Sequence, residues 1–401
     1  MSGKEWVEIV KVFKKIKYEL IIFLILVFQA LLTARGDGWG IKEHFFTFYV
    51  PDYSLGLIPR ALVGSFVSLL KKQLTVAWLT GFIWVSNLFL FFFIALLLGK
   101  VLRKISGEYK IPLYFALTLF FFTDYSTKVF AKNLGLHDVY MVIIVLLCIL
   151  TSRQKWSTWL VIPLCLAGTA IHYGFLFQFF PLIFIIILFG ALKTNERLSH
   201  SLVAVISPIA TILSSLYFIL IAPYNPKTNI EKSLDYLEDK VVDFEFWRLF
   251  AGGIYFNYNG LEDKPLESFG DLFYYLRLHT TETFSWIEFI TLLAFLTPLF
   301  MLFWVLWKEA LKNSENKAQK LVFILCFLMP IPLIPWFFWT TDHPRFLSEI
   351  ILCQFCVLFY LIYNKNKALE KSLKSMEEKF KRYPALLIPS LILPLASFYF
   401  K

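Results

Sequence analysis

The chain has 401 residues, of which 58% are hydrophobic, 19% are aromatic and only 17% are charged. This composition lies outside the usual range of a soluble globular domain and predicts a single transmembrane domain over residues 1–401, without a large soluble module. The net charge of +10 does not indicate nucleic-acid binding, because the basic residues lie in short segments between apolar runs and not on one contiguous face.

Apolar runs that reach or approach the roughly 20 residues needed to cross a bilayer recur along the whole chain. They predict an all-α, polytopic integral membrane protein with about eleven transmembrane helices. The third, fourth and fifth runs are short, which favours helices that end within the membrane depth. The first run lacks a clean signal-peptide cleavage site after it, and we interpret it as an uncleaved anchor. The predicted spans are 20–34, 77–99, 111–123, 139–151, 157–171, 173–192, 201–222, 286–307, 321–340, 347–363 and 384–400.

The distribution of basic residues predicts the orientation, because Lys and Arg are retained on the cytoplasmic side. Two long loops then lie outside, 35–76 and 223–284. In the first, the apolar stretch Gly56–Leu70 is too short to span and predicts interfacial helices. The basic segment Asn364–Tyr383 predicts a helix against anionic lipid headgroups. Most of the 39 Lys and Arg residues fall in the predicted cytoplasmic segments, which are 1–19 with the N terminus, 100–110, 152–155, 193–200, 308–320 and 364–383.

Many ionisable residues lie at the predicted outer ends of the helices. Such groups are costly near hydrocarbon, so they usually pair with one another or line a functional cavity. A histidine at a helix end can also be a simple interfacial residue. Because these residues come from separate loops, we interpret them as one shared site on the outer face. The candidates are Asp37, Asp52, Arg60, Lys128, Lys132, His137, Asp138, His172, Asp342, His343 and Arg345.

The order of these features resembles the GT-C superfamily of membrane glycosyltransferases, which take sugars from polyprenyl-phosphate carriers on the non-cytoplasmic face. Asp37 and Asp52 precede the Gly56–Leu70 stretch, as an acidic residue precedes interfacial helices in that superfamily. The segment Lys132–Asp138 resembles the polar turn that opens a fourth span, and Arg345-Phe346 resembles the charged start of a later span. Many members place two acids directly after the first span, whereas here the second acid is Asp52, which leaves the identity of the base open.

The resemblance implies a GT-C-like fold in a bacterial plasma membrane, with a polyprenyl-phosphate-linked donor and a glycan or lipid-linked acceptor. An inverting transfer needs a carboxylate to deprotonate the acceptor and cations to stabilise the departing phosphate. Asp52, ahead of Asp37, is the predicted base. Whether a divalent cation takes part stays open. The predicted phosphate-binding residues are Arg60, Lys128, Lys132 and Arg345, and the other predicted substrate-binding residues are His137, Asp138, His172, Asp342 and His343.

Three other interpretations remain. The segment Asp52–Arg60 resembles membrane proteins of bacterial surface-polysaccharide clusters, which keeps a Wzy-like polymerase of lipid-linked glycans as an alternative. The second interpretation is a lipid or glycan transporter or flippase. Such proteins often show inverted repeats and polar residues near the bilayer midplane, whereas here the polar residues lie at helix ends. A purely structural membrane subunit is the third. Nucleotide chemistry is disfavoured because the chain lacks a Gly-rich phosphate loop.

Overall fold

The computed structural model is built from helices joined by short turns, with no β-strand among the described residues. The structure describes residues 3–34, 41, 43–55, 57–58, 60–104, 109–123, 126–127, 129–130, 134–152, 157–193, 197–221, 230–242, 286–335 and 343–396. The α-helices in chain order are α1 (Gly3–Ala34), α2 (Ala61–Leu70), α3 (Val76–Leu102), α4 (Lys110–Phe122), α5 (Asp138–Thr151), α6 (Val161–Ile171), α7 (Phe175–Gln178), α8 (Phe180–Lys193), α9 (Arg197–Leu216), α10 (Ile230–Lys240), α11 (Trp286–Lys312), α12 (Lys317–Leu328), α13 (His343–Tyr363), α14 (Lys367–Arg382) and α15 (Leu387–Ala396).

Five helices are long and apolar enough to cross a membrane, so the chain is a helical membrane protein. All eleven predicted spans overlap described helices. That about eleven helices cross the bilayer, and that the fold is GT-C-like, stay proposals. The five long apolar helices are Ile16–Ala34, Val76–Leu102, Leu198–Ile219, Ile290–Lys312 and Arg345–Tyr363.

The third, fourth and fifth predicted spans are short helices in the structure. Helices α4, α5 and α6 contain 13, 14 and 11 residues. At about 1.5 Å per residue they are roughly 16–21 Å long, less than the roughly 30 Å hydrocarbon core. The sixth predicted span is broken: the four-residue helix α7 ends at Gln178, and α8 begins after Phe179.

The helix ends collect at two opposite faces of the bundle. At one face Lys104 Nζ donates to the carbonyl of Tyr363 at 2.8 Å, which joins the C-terminal ends of α3 and α13. There Arg103 also forms an ion pair with Glu19 of α1. We call this face, which carries the Lys- and Arg-rich helix α14, the basic end. We call the opposite face, where α3, α5 and α13 begin and α6 ends, the loop end.

Helix α2 is the only part of Gly56–Leu70 that forms an α-helix within the described residues. One side of it packs against the bundle through the buried side chains of Val63 and Val67. The other side exposes large apolar side chains, Phe66 at 53%, Leu69 at 85% and Leu70 at 56%. An amphipathic helix of this kind suits the boundary between headgroups and acyl chains.

Helix α13 forms the centre of the bundle, and the stretch Arg345–Tyr363 is almost wholly buried. Phe355 packs against Phe120 of α4 and Phe303 of α11, with ring centroids 5.1 and 5.0 Å apart. Gln354 is a polar residue in this core; it accepts a hydrogen bond from Trp307 Nε1 at 2.6 Å and donates to the Cys326 carbonyl at 2.9 Å. The central position of α13 fixes Arg345, in its first turn, inside the loop end.

Candidate functional site

Five of the predicted site residues come together at the loop end: Arg60, His137, Asp138, His172 and Arg345. Arg60 Nη2 lies 3.0 Å from His172 Nε2. His137 occupies the turn before α5, and His172 the turn after α6. Burial, and then the charges of Arg60 and Arg345, lower the pKa of His137 to about 3. Burial and the same two arginines also lower the pKa of His172. Both rings are therefore neutral at physiological pH and offer hydrogen bonds, not charge.

The contact between Arg60 and His172 brings two hydrogen-bond donor groups together when His172 Nδ1 is the acceptor nitrogen of the ring. His172 Nδ1 accepts a hydrogen bond from the Gly174 backbone N–H at 3.0 Å. A neutral imidazole accepts at one nitrogen and donates at the other. The Nε2–H must then point at the guanidinium of Arg60, which has only N–H groups to offer. An acceptor with several oxygens, such as a phosphate group, would satisfy both donors if it entered between them.

Arg60 also holds a strained backbone conformation. It is the residue before the first turn of α2 and has φ 65° and ψ 6°, in the left-handed region. A residue with a side chain is uncommon there and costs of order 1 kcal/mol or more. Its guanidinium carbon lies 5.7 Å from the ring centroid of Tyr173, the neighbour of His172. Strain of this kind at a buried polar cluster supports a functional interpretation of Arg60.

Arg345 is bound by carboxylates. Its Nε and Nη2 donate to the two oxygens of Asp138, each at 2.5 Å, in a bidentate pair. Asp138 begins α5, where the helix dipole also favours a negative charge. Glu349 Oε1, one turn further along α13, lies 3.5 Å from Arg345 Nε. The carboxylates of Asp138 and Glu349 thus hold Arg345 in place and already balance its charge. Arg60 is therefore the better candidate to bind an incoming phosphate.

Both carboxylate oxygens of Asp52, the predicted base, accept hydrogen bonds. One carboxylate oxygen accepts the backbone N–H of Ser54 at 2.9 Å and the Ser54 hydroxyl. The other accepts the Ser68 hydroxyl at 2.6 Å and Lys240 Nζ at 2.5 Å. Burial alone would raise the pKa of Asp52, but the hydrogen bonds from Lys240, Ser54 and Ser68 outweigh it and hold the pKa well below that of an ordinary aspartate. A carboxylate in this state is a weak proton acceptor.

Asp52 does not touch the arginine and histidine cluster. It binds Ser68, near the C-terminal end of α2, whereas Arg60 precedes the first turn of the same helix. At about 1.5 Å per residue the two points are about 12 Å apart along the helix axis. Asp52 and Arg345 nevertheless lie at the same end of the bundle, so α2 joins two neighbouring polar clusters.

Two participants were not singled out from the sequence. Lys240 ends α10, in the long loop 223–284, and its carbonyl accepts a hydrogen bond at 2.8 Å from the backbone N–H of Leu74, just before α3. Tyr236 of the same helix donates to the Val50 carbonyl at 3.0 Å. These contacts place α10 over the first loop. Glu349 is the second participant that was not singled out. The sequence does mark it, because an acidic residue inside an apolar span is costly and is usually functional.

The remaining candidates are not placed. Asp37, Lys128, Lys132 and Asp342 lie outside the described residues. His343 begins α13, but its side chain is not described. Within the described residues no group of three or more His, Cys, Asp or Glu side chains has the arrangement of a metal site, and the role of a divalent cation stays open.

Comparison with protein-family models, with curated proteins and with solved structures finds no significant match to this chain. The geometry itself gives a helical membrane protein with two partly exposed arginines beside two buried, neutral histidines at one end of its bundle.

Proposed function

We propose that the chain is a membrane glycosyltransferase that moves a sugar from a polyprenyl-phosphate-linked donor to a glycan or lipid-linked acceptor. The reaction takes place at the loop end, which faces the non-cytoplasmic side of a bacterial plasma membrane in this proposal. The fold would be GT-C-like, with about eleven spans. The observation that carries the proposal is the contact of Arg60 with His172, whose Nη2 and Nε2 atoms lie 3.0 Å apart. With Nδ1 accepting from the Gly174 N–H, Nε2 carries the proton of the neutral ring.

The surroundings of Arg60 suit a lipid phosphate. Helix α2 exposes Phe66, Leu69 and Leu70 on one side, and a helix of this type lies between acyl chains and headgroups. Arg60 at its start is then at headgroup depth, where the phosphate of a polyprenyl carrier lies. Arginine forms bidentate, charge-assisted hydrogen bonds with phosphate. His172 Nε2–H supplies a further donor to the same group.

The transfer itself requires a base. The acceptor oxygen attacks the anomeric carbon and loses its proton to a carboxylate, while the bond from that carbon to the phosphate oxygen breaks and its electron pair leaves with the phosphate. Asp52 is the first candidate, and it becomes a base only when Lys240 has left it. Lys240 belongs to the long loop, so an acceptor that binds beneath this loop would compete with that ion pair. Asp37 is the second candidate.

Donor binding tests the phosphate site. Arg60→Gly removes the guanidinium and relieves the left-handed backbone, because glycine adopts φ near 65° without strain. The variant should keep the melting temperature of the parent and bind a polyprenyl phosphate about 10- to 100-fold more weakly, the equivalent of about 1.5–3 kcal/mol for a charged hydrogen bond. Lys71→Gln, at the other end of α2, is the matched control and should bind normally. Unchanged binding in Arg60→Gly would remove Arg60 from the site.

Product analysis separates the proposal from its alternatives. A glycosyltransferase adds one sugar to each acceptor, whereas a Wzy-like polymerase converts a lipid-linked oligosaccharide into a ladder of products. Both reactions would depend on Arg60. Movement of a labelled lipid across proteoliposomes without any new glycosidic bond would identify a flippase and overturn the enzymatic proposal.

A further inference from the structure

A cavity lies at the basic end, away from the arginine and histidine cluster. Its volume is about 920 Å³, and it lies between α11, α14 and α15. Its walls are mostly apolar, with Pro298, Met301 and Leu302 on the α11 side and Phe380 of α14 and Leu387 of α15 opposite. An apolar cavity of this size in a membrane protein suits the hydrocarbon chain of a lipid.

The cavity runs along much of one leaflet of a bilayer. Its lining residues on α11 run from Thr297 to Val305, about 12 Å at 1.5 Å per residue, and half of the hydrocarbon core is about 15 Å. Lys379 lines the cavity from α14, and its ammonium group binds Glu309, one turn beyond Val305, at 2.9 Å. An acyl chain that enters at the basic end therefore runs along most of one leaflet.

The charged residues that line the cavity are Glu378, Lys379 and Arg382, all on α14. Helix α14 carries six basic and three acidic side chains, and it buries an apolar face that includes Leu369 and Met376. Lys379 is neutralised by Glu309. Arg382 lines the cavity, with its guanidinium carbon 5.4 Å from the ring centroid of Tyr383. An arginine beside a tyrosine at the end of an apolar cavity is suited to hold a phosphate at headgroup depth.

We propose that this cavity binds one anionic glycerophospholipid, with an acyl chain along α11 and the phosphate at Arg382. The net positive charge of α14 selects an anionic headgroup over a zwitterionic one, because basic side chains at the membrane surface attract anionic lipids. This lipid is distinct from the sugar donor, since its site lies at the opposite end of the bundle. The proposal does not depend on glycosyl transfer.

Lipid binding to the full-length protein tests the proposal. The purified chain in detergent is titrated with phosphatidylglycerol or with phosphatidylcholine of the same acyl chains, and bound lipid is counted by native mass spectrometry. We expect one phosphatidylglycerol to bind at least about tenfold more tightly than phosphatidylcholine, a difference of about 1.4 kcal/mol. Equal binding of the two lipids would overturn the proposal.

Two variants locate the site. Arg382→Gln removes the phosphate contact, and Met301→Trp fills the cavity without a change of charge; each should weaken phosphatidylglycerol binding about tenfold. Lys371→Gln is the matched control, because Lys371 lies on the same helix, pairs with Glu315 at 3.5 Å and is 58% exposed. Normal binding in both Arg382→Gln and Met301→Trp, or an equal loss in Lys371→Gln, would show that the lipid binds elsewhere.

Discussion

The ion pair of Asp52 with Lys240 gives the sharpest test of what the first loop does. The side chains are 6% and 22% exposed, and the atoms are 2.5 Å apart. Asp52→Asn keeps the shape of the side chain and removes its charge, which leaves the ammonium group of Lys240 without a counter-ion there. Lys240→Met removes the other charge and keeps much of the apolar stem. The double variant has neither charge.

The structure sets the size of the effect. Breaking a buried pair by removing one partner costs about 3–5 kcal/mol, but Lys240 is partly exposed and regains some hydration, so Asp52→Asn should cost about 2–3 kcal/mol. For a chain of this length each kcal/mol changes the melting temperature by at most about 2 °C, so the decrease should be at most about 4–6 °C. The double variant should lie within about 1 kcal/mol of the parent, because no unpaired charge remains.

The pH dependence has a defined sign. Because the folded protein lowers the pKa of Asp52, the stabilisation is present above the unfolded value of about 3.9 and is lost as the pH falls toward the folded value. The difference in melting temperature between parent and Asp52→Asn should be constant from about pH 8 to 5 and shrink below about pH 4.

Thermal unfolding in detergent, followed by a thiol-reactive dye, measures these differences, and a transfer assay runs beside it. If Asp52 is the base, transfer falls about 10²–10⁴-fold in Asp52→Asn and does not return in the double variant. A melting temperature equal to that of the parent in Asp52→Asn would refute the reasoning about the ion pair. Transfer by the double variant would remove Asp52 from the reaction and leave Asp37 as the first-loop candidate.

Three further predictions concern other parts of the chain. Arg345→Lys keeps the charge but loses the bidentate contact with Asp138, and it should lower stability by about 1–3 kcal/mol in thermal unfolding, so an unchanged melting temperature would contradict the assigned geometry. A cysteine at Asn259, in a chain whose five native cysteines are all buried, should react with an impermeant maleimide in intact cells; reaction only after permeabilisation would invert the proposed orientation. Gly64→Ala should destabilise, because its Cβ would collide with a first-loop carbonyl, whereas Gly81→Ala, with open space around the new atom, should be neutral or stabilising by up to about 1 kcal/mol.

The positions of the helices were largely predictable because long apolar runs have few other structures in a membrane. The break in the sixth predicted span was not. Residues 173–192 read as one apolar run, yet the chain turns at Tyr173 and again at Phe179. The first turn is fixed by the hydrogen bond from Gly174 N–H to His172 Nδ1, a contact that leaves no trace in hydropathy.

The residue types at the loop end were predictable, but their partners were not. Ionisable residues at helix ends stood out because hydrocarbon excludes them. Arg345 pairs with Asp138 although 207 positions separate them, and that choice depends on how α5 and α13 pack. Lys240 was missed for the same reason, since it reaches Asp52 only after α10 folds over the first loop.

The pairing of charges at the loop end constrains any reaction there. Asp52 is bound by Lys240, and Asp138 and Glu349 both lie against Arg345. The hydrogen bonds to Asp52 hold its pKa well below the ordinary value, so it accepts a proton poorly, and its use as a base needs a step that draws Lys240 away. A phosphate group is an anion that competes for the same ammonium or guanidinium groups. The phosphate of a lipid-linked acceptor beneath the long loop would thus free Asp52, which couples acceptor binding to activation of the base through charge alone. Lys240→Met tests this coupling at Asp52, because it removes the cation and keeps the carboxylate; transfer as low as in Asp52→Asn would contradict it.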